Sequence, residues 1–152
     1  MDMTTREKKE ILLKYRSTVR EIEWLEREIQ KWRSNAERMT ASYHAAPASG
    51  GSNRRSIEEA VEQIDKLIRR FMDYQSDLIR TRGMIENAIE SLRDPVLQEV
   101  LQMRYLDGLN FHQIAGKLGY SDRHLVRLHR AALEKMSLNC LLYTSPSPRD
   151  CS

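Results

Sequence analysis

Cysteine, glycine, proline and aromatic side chains are all scarce in this 152-residue chain, and each scarcity removes a class of structure. The two cysteines, Cys140 and Cys151, fall in the final segment. The body of the chain therefore has no disulfide framework, no CxxC redox pair and no cysteine zinc site. Six glycines and four prolines are few for a fold built of tight hairpins, and an aromatic content of 7% is thin for a sandwich core. No apolar run approaches the roughly 20 residues of a membrane span, and no apolar stretch of signal-peptide length follows the charged opening MDMTTREKKE. These absences predict a cytoplasmic protein without membrane contact. Catalytic signatures are missing as well: GxSxG, HExxH and the phosphate-binding glycine loop do not occur. The four histidines, His44, His112, His124 and His129, lack the spacing of a helical metal site. No enzyme activity, cofactor or metal is expected.

What remains is charge and periodic aliphatics. Charged residues make up 31% of the chain, with Glu, Arg, Leu and Ile prominent, a mix that predicts an all-α protein of long solvated helices. The net charge of +3 does not by itself call for nucleic acid. Clustering says more: residues 95–139 carry Arg104, Lys117, Arg123, Arg127, Arg130 and Lys135 against Glu99, Asp107, Asp122 and Glu134.

Residues 1–94 read as a long antiparallel, coiled-coil-like helical hairpin with a loop at 41–55. Thr4 and Glu7 form a capping box, and apolar side chains then recur at Ile11, Tyr15, Val19, Ile22, Leu25, Ile29, Trp32, Ala36 and Met39. ASYHAAPASGGS interrupts the period with small residues, Pro47 and the Gly50-Gly51 pair. A second capping box, Ser56 with Glu59, opens the return helix. Its seam is Ile57, Ala60, Ile64, Leu67, Phe71, Tyr74, Leu78, Thr81, Ile85, Ala88 and Leu92. Trp24, Trp32 and Phe71 lie on or beside these seams and are expected in the core. Two amphipathic helices with a flexible connection fold back on one another. A two-helix hairpin covers only part of each stripe, so leftover apolar surface is expected to meet the terminal module or another copy, giving a homodimer or higher oligomer. Parallel pairing of two chains is the competing geometry.

Residues 95–139 read as a three-helix module. Asp94-Pro95 ends the hairpin and caps the next helix, which carries Val96, Leu97, Val100, Leu101 and Tyr105 and closes at Gly108 in a left-handed cap. Asn110 caps a short helix with Ile114, Ala115 and Leu118 inward; Gly119 supplies a positive φ, and Ser121 caps the last helix. Short helix, glycine turn, longer helix is the layout of a helix-turn-helix. At about 100° per residue, Leu128, Ala132 and Met136 fall near Leu125 on one side of the last helix, while Arg123, Arg127, Arg130 and Glu134 gather on the other. Arginine's planar fork suits phosphate or the O6 and N7 edge of guanine, and Val126, which with His124 flanks the arginine face, can touch a thymine methyl. Asp122 suits a helix start but repels phosphate, so it either orients Arg123 or accepts from cytosine.

Val96 to Met136 resembles the sigma-70 region 4 type of helix-turn-helix, through Arg104-Tyr105 before Gly108, Ile114-Ala115, Leu118-Gly119, Ser121 and Ala132-Leu133. That resemblance implies double-stranded DNA as partner. It places Asp122, Arg123, Val126, Arg127 and Arg130 in the major groove, with His124 beside them and Gln113 and Lys117 over the phosphate backbone. It also implies contact with RNA polymerase. Asp122 and Val126 stand where such proteins often carry arginine, which separates the target from the usual promoter element. More widely, Thr4 to Met136 resembles phage and prophage transcriptional regulators of the RinA and ArpU type, which implies control of late or packaging genes in a bacterial host cell. Two other readings keep the same parts: a small terminase-like DNA-packaging subunit, and a coiled-coil adaptor that does not bind DNA. Finally, CLLYTSPSPRD, Cys140 to Asp150, resembles a translated adapter from sequencing-library preparation. Residues 140–152 are accordingly expected to be a non-native tail, with the natural chain continuing past Asn139.

Overall fold

The structure is a computed structural model that describes residues 3–45 and 50–138, all of whose regular elements are helical. The expected tail at 140–152 and positions 46–49 of the expected loop lie outside the described residues. No described helix is long and apolar enough to cross a membrane.

Helix α1, Thr5–Ala45, starts at the predicted box. The Glu7 amide donates to Thr4 Oγ1 at 3.2 Å, and the Thr4 amide donates to Glu7 Oε2 at 2.7 Å. Those bonds, that from the Thr4 backbone foremost, hold the Glu7 carboxyl below the usual carboxylate range. Helix α2, Gly50–Glu90, begins ahead of the position assigned from sequence. Ser56 lies inside it rather than at its cap, and α1 likewise runs on through Ala41 to Ala45, so the expected loop at 41–55 is helical at both ends. The reason is local: no proline or glycine interrupts residues 41–45, and Arg54–Glu58 and Arg55–Glu59, each at 3.5 Å, tie the start of α2 together at i, i+4 spacing.

The chain divides into two compact units: residues 19–77 form one, and residues up to 18 together with those from 78 onward form the other. In the first, Leu25, Ile29 and Leu67 are buried together, with Trp32, Ile68, Phe71 and Tyr74 packed against them. Arg70 reaches Glu21 across the two helices at 2.9 Å. Trp24 departs from expectation. It is 41% exposed because it sits one residue, about 100°, away from the fully buried Leu25.

The second unit joins the start of α1 and the end of α2 to the terminal helices. Ile11, Leu12 and Tyr15 of α1 are buried, as are Ile85, Ala88 and Leu92 near the end of α2. Leu12, adjacent to Ile11, lies outside the predicted seam, and two neighbouring buried positions mark a helix packed on more than one side. Tyr15 also lies beside Arg82, whose guanidinium is held charged by its hydrogen bond with Glu86 first and by Tyr15 next.

Candidate nucleic-acid interface

Asp94 caps α3, Pro95–Leu101, by accepting from the Val96 amide at 2.9 Å, with Pro95 in the first turn as expected. The helix widens into a π turn, Gln102–Leu106, closed by the Asp107 amide donating to the Gln102 carbonyl at 2.9 Å. Gly108 follows at φ 77, and a Cβ there would meet the Arg16 guanidinium carbon at 2.8 Å. Two demands thus fall on one glycine, left-handed backbone and a close approach from α1.

Helix α4, Phe111–Leu118, opens on the predicted box: the Gln113 amide donates to Asn110 Oδ1 at 2.8 Å and the Asn110 amide to Gln113 Oε1 at 2.9 Å. It ends at Gly119, φ 74, where the Tyr120 amide donates back to the Ala115 carbonyl. Ser121 then caps α5, Asp122–Lys135, by accepting from the His124 amide at 3.1 Å. Val100, Ile114, Ala115 and Leu125 form the core that sets α4 against α5, with Leu118 and Leu128 packed on it. Short caps and a small apolar core therefore fix the angle between the two helices.

Along α5, Leu125, Ala132 and Leu133 are buried, and so are Met136 at its C-cap and His129. Arg123, His124, Val126, Arg127 and Arg130 are exposed, as are Gln113 and Lys117 on α4. Arg130 pairs with Glu134 at 3.4 Å. Tyr120 packs edge-on to His124 with ring centroids 4.9 Å apart, so the turn itself presents an aromatic edge. Gln113 has its side-chain oxygen committed to the α4 cap, which leaves its NH2 for an outside acceptor. Asp122, expected either to orient Arg123 or to accept from cytosine, lies against His112, with Nδ1 to Oδ2 at 3.2 Å. The first turns of α4 and α5 meet there, and no periodicity within either helix reveals it.

Residues outside the predicted surface hold this surface in place. Lys8 of α1, only 7% exposed, donates through Nζ to the carbonyls of Leu133 at 3.0 Å and Glu134 at 3.4 Å, covering the C-terminal end of α5. Tyr105 Oη lies 2.7 Å from His129 Nε2, and both side chains are buried. Burial pushes the Tyr105 phenol up to about 12, against the opposing effect of Arg104. Burial first, then the charges of Lys9 and Arg104, pulls His129 down to about 4. With the phenol protonated and the imidazole neutral, a single proton lies between Tyr105 Oη and His129 Nε2, and the tautomer of His129 sets which of them donates it. The Phe111 ring packs edge-on to His129, with centroids 4.9 Å apart, while the Arg104 guanidinium lies 4.8 Å from the Phe111 ring centroid and Nη1 donates to the Leu109 carbonyl at 3.0 Å. His129 falls about 40° from Leu125 on the helical wheel, inside the inward stripe, and that position is the signal that could have found it. Among the described residues no group of His, Cys, Asp or Glu could hold a metal ion.

The geometry is that of a helix whose buried side locks it to α3 and α4 and whose outer side presents three guanidinium groups. Such a surface can meet phosphates and base edges in a groove wide enough for a helix. No curated protein and no solved structure matches the chain. Residues 88–137 match the family described as Sigma-70, region 4, so the terminal helices are similar to a sigma-70 region 4 helix-turn-helix, a module of the DNA-binding kind.

Proposed function

We propose that the protein is a transcriptional regulator encoded by a phage or prophage, acting on double-stranded DNA in the cytoplasm of a bacterial host cell, with α5 as the recognition helix. The observation that carries this reading is the exposed row of Arg123, Arg127 and Arg130 on α5, within the segment that matches region 4. Arg127 reads a base edge, with Val126 and His124 beside it, while Arg123, Arg130, Lys117 and the free NH2 of Gln113 meet phosphates. Asp122 sits at the start of α5, where its carboxylate repels phosphate and so restrains the affinity. The chain works as a homodimer, two recognition helices reading two half-sites of a palindrome or repeat. The region 4 resemblance also supports a contact with RNA polymerase.

The test is a titration of DNA fragments flanking the gene with the full chain and three variants. Arg127→Ala is expected to weaken the preferred fragment by about 1 to 3 kcal/mol and to blur discrimination at one base pair. Asp122→Asn is expected to bind all fragments more tightly. Unchanged binding by the triple alanine variant at 123, 127 and 130 would remove α5 as the reading element.

A further inference from the structure

Between the two long helices, in the unit formed by residues 19–77, lies a groove of about 480 Å³ that the DNA reading does not use. Glu26, Gln30 and Arg33 of α1 and Ile68, Phe71 and Met72 of α2 line it. Met72 is 63% exposed and Val61 57%, and they lie about 20° apart on the α2 wheel. This side of α2 is distinct from the seam that Leu67 turns into the hairpin core. An exposed apolar side chain at the edge of a groove, as Met72 is here, is one that a partner can cover.

The rim charges say which partner. Lys31 with Glu28, Arg69 with Asp65 and Arg70 with Glu21 are paired within the chain, and the charged residues that line the groove itself are Glu26 and Arg33. The side chains of Glu26 and Arg33 make no ion pair or hydrogen bond among the described residues. They stand seven residues apart, two turns, on the same face of α1. A twofold axis passing between Ile29 and Gln30 sets Glu26 of one copy opposite its partner's Arg33, and repeats the pairing on the other side. The surface is self-complementary in the sense that an isologous dimer requires.

We propose that this groove is the homodimer interface, occupied by a second copy of the chain, with the two α1 helices crossing antiparallel and two Glu26–Arg33 pairs bracketing an apolar centre of Ile68, Phe71 and Met72. It goes beyond the DNA reading and stands without it, because pairing is measured with no DNA present.

Sedimentation equilibrium of the full chain tests it. The unaltered chain is expected to be dimeric, and Met72→Glu monomeric. Glu26→Arg and Arg33→Glu each place like charges at both junctions and are expected to weaken association by about tenfold or more. In an equal mixture of those two variants every junction again opposes Glu and Arg, so mixed dimers of the original strength are expected. The double variant restores pairing by the same logic. Circular dichroism spectra at low temperature, expected to keep full helicity in every variant, separate lost pairing from lost folding. A chain that is monomeric throughout, charge variants that associate like the unaltered chain, or a mixture no stronger than its components would each overturn the proposal.

Discussion

At the scale of single residues, buried polar groups behind α5 hold in place the helix that carries the exposed charges. Lys8 places Nζ on two carbonyls at the end of α5, and Lys8→Met leaves those carbonyls buried without a donor. The expected cost is about 1 to 3 kcal/mol, read as a lower denaturation midpoint. His129 makes a pH prediction whose sign follows from its neutral, buried state. Its pKa is depressed to about 4 in the folded chain, against about 6.5 when unfolded, so the unfolded chain binds the extra proton between those values. The contribution is complete above about pH 6.5 and is lost as pH falls toward 4, amounting to about 3 kcal/mol across that window. Urea titrations from pH 7 to pH 4 are expected to show this slope in the unaltered chain and lose it in His129→Gln. An identical slope in both would assign the pH dependence to other groups. Glu7 acts lower on the scale, since its own pKa is lowered below the ordinary carboxylate value.

At the scale of elements, the two left-handed glycines separate backbone strain from crowding. Gly119 at φ 74 has open space where a Cβ would go, whereas Gly108 at φ 77 faces the Arg16 guanidinium. Gly119→Ala is expected to cost about 1 to 2 kcal/mol from backbone strain alone, and Gly108→Ala more. In an Arg16→Ala background the two are expected to become equal; a persisting gap in chemical denaturation would place the extra strain elsewhere. Both glycines were legible in the sequence, and so were the caps at Thr4, Asp94, Asn110 and Ser121, because each is a short-range device set by a few neighbouring residues. The ends of α1 and α2 near 41–55 were misread because a glycine pair and a serine-glutamate box looked like punctuation, while i, i+4 ion pairs at Arg54 and Arg55 favour continuing the helix. Contacts such as Lys8 with Leu133, Arg16 with Gly108 and His112 with Asp122 were hidden for a different reason. They join positions distant in the chain, and helical periodicity reports only which side of a helix faces inward.

At the scale of the molecule, the first turns of α1 and the last of α2 share a compact unit with the terminal helices. Cutting the chain at Asp94 would remove Lys8 from α5 and Ile11, Leu12 and Tyr15 from the core of that unit. A fragment of residues 95–139 alone is therefore expected to unfold more readily than the full chain, which thermal melts of the two would compare. The central claim concerns DNA, and the most direct measurement is the affinity of the full chain for a fragment flanking its own gene as salt is raised. Three cations on phosphates in each protomer, Lys117, Arg123 and Arg130, predict a slope of log affinity against log salt of about −3 per protomer, and about twice that when both recognition helices engage. A slope near zero, or no binding to any flanking fragment at low salt, would contradict the account.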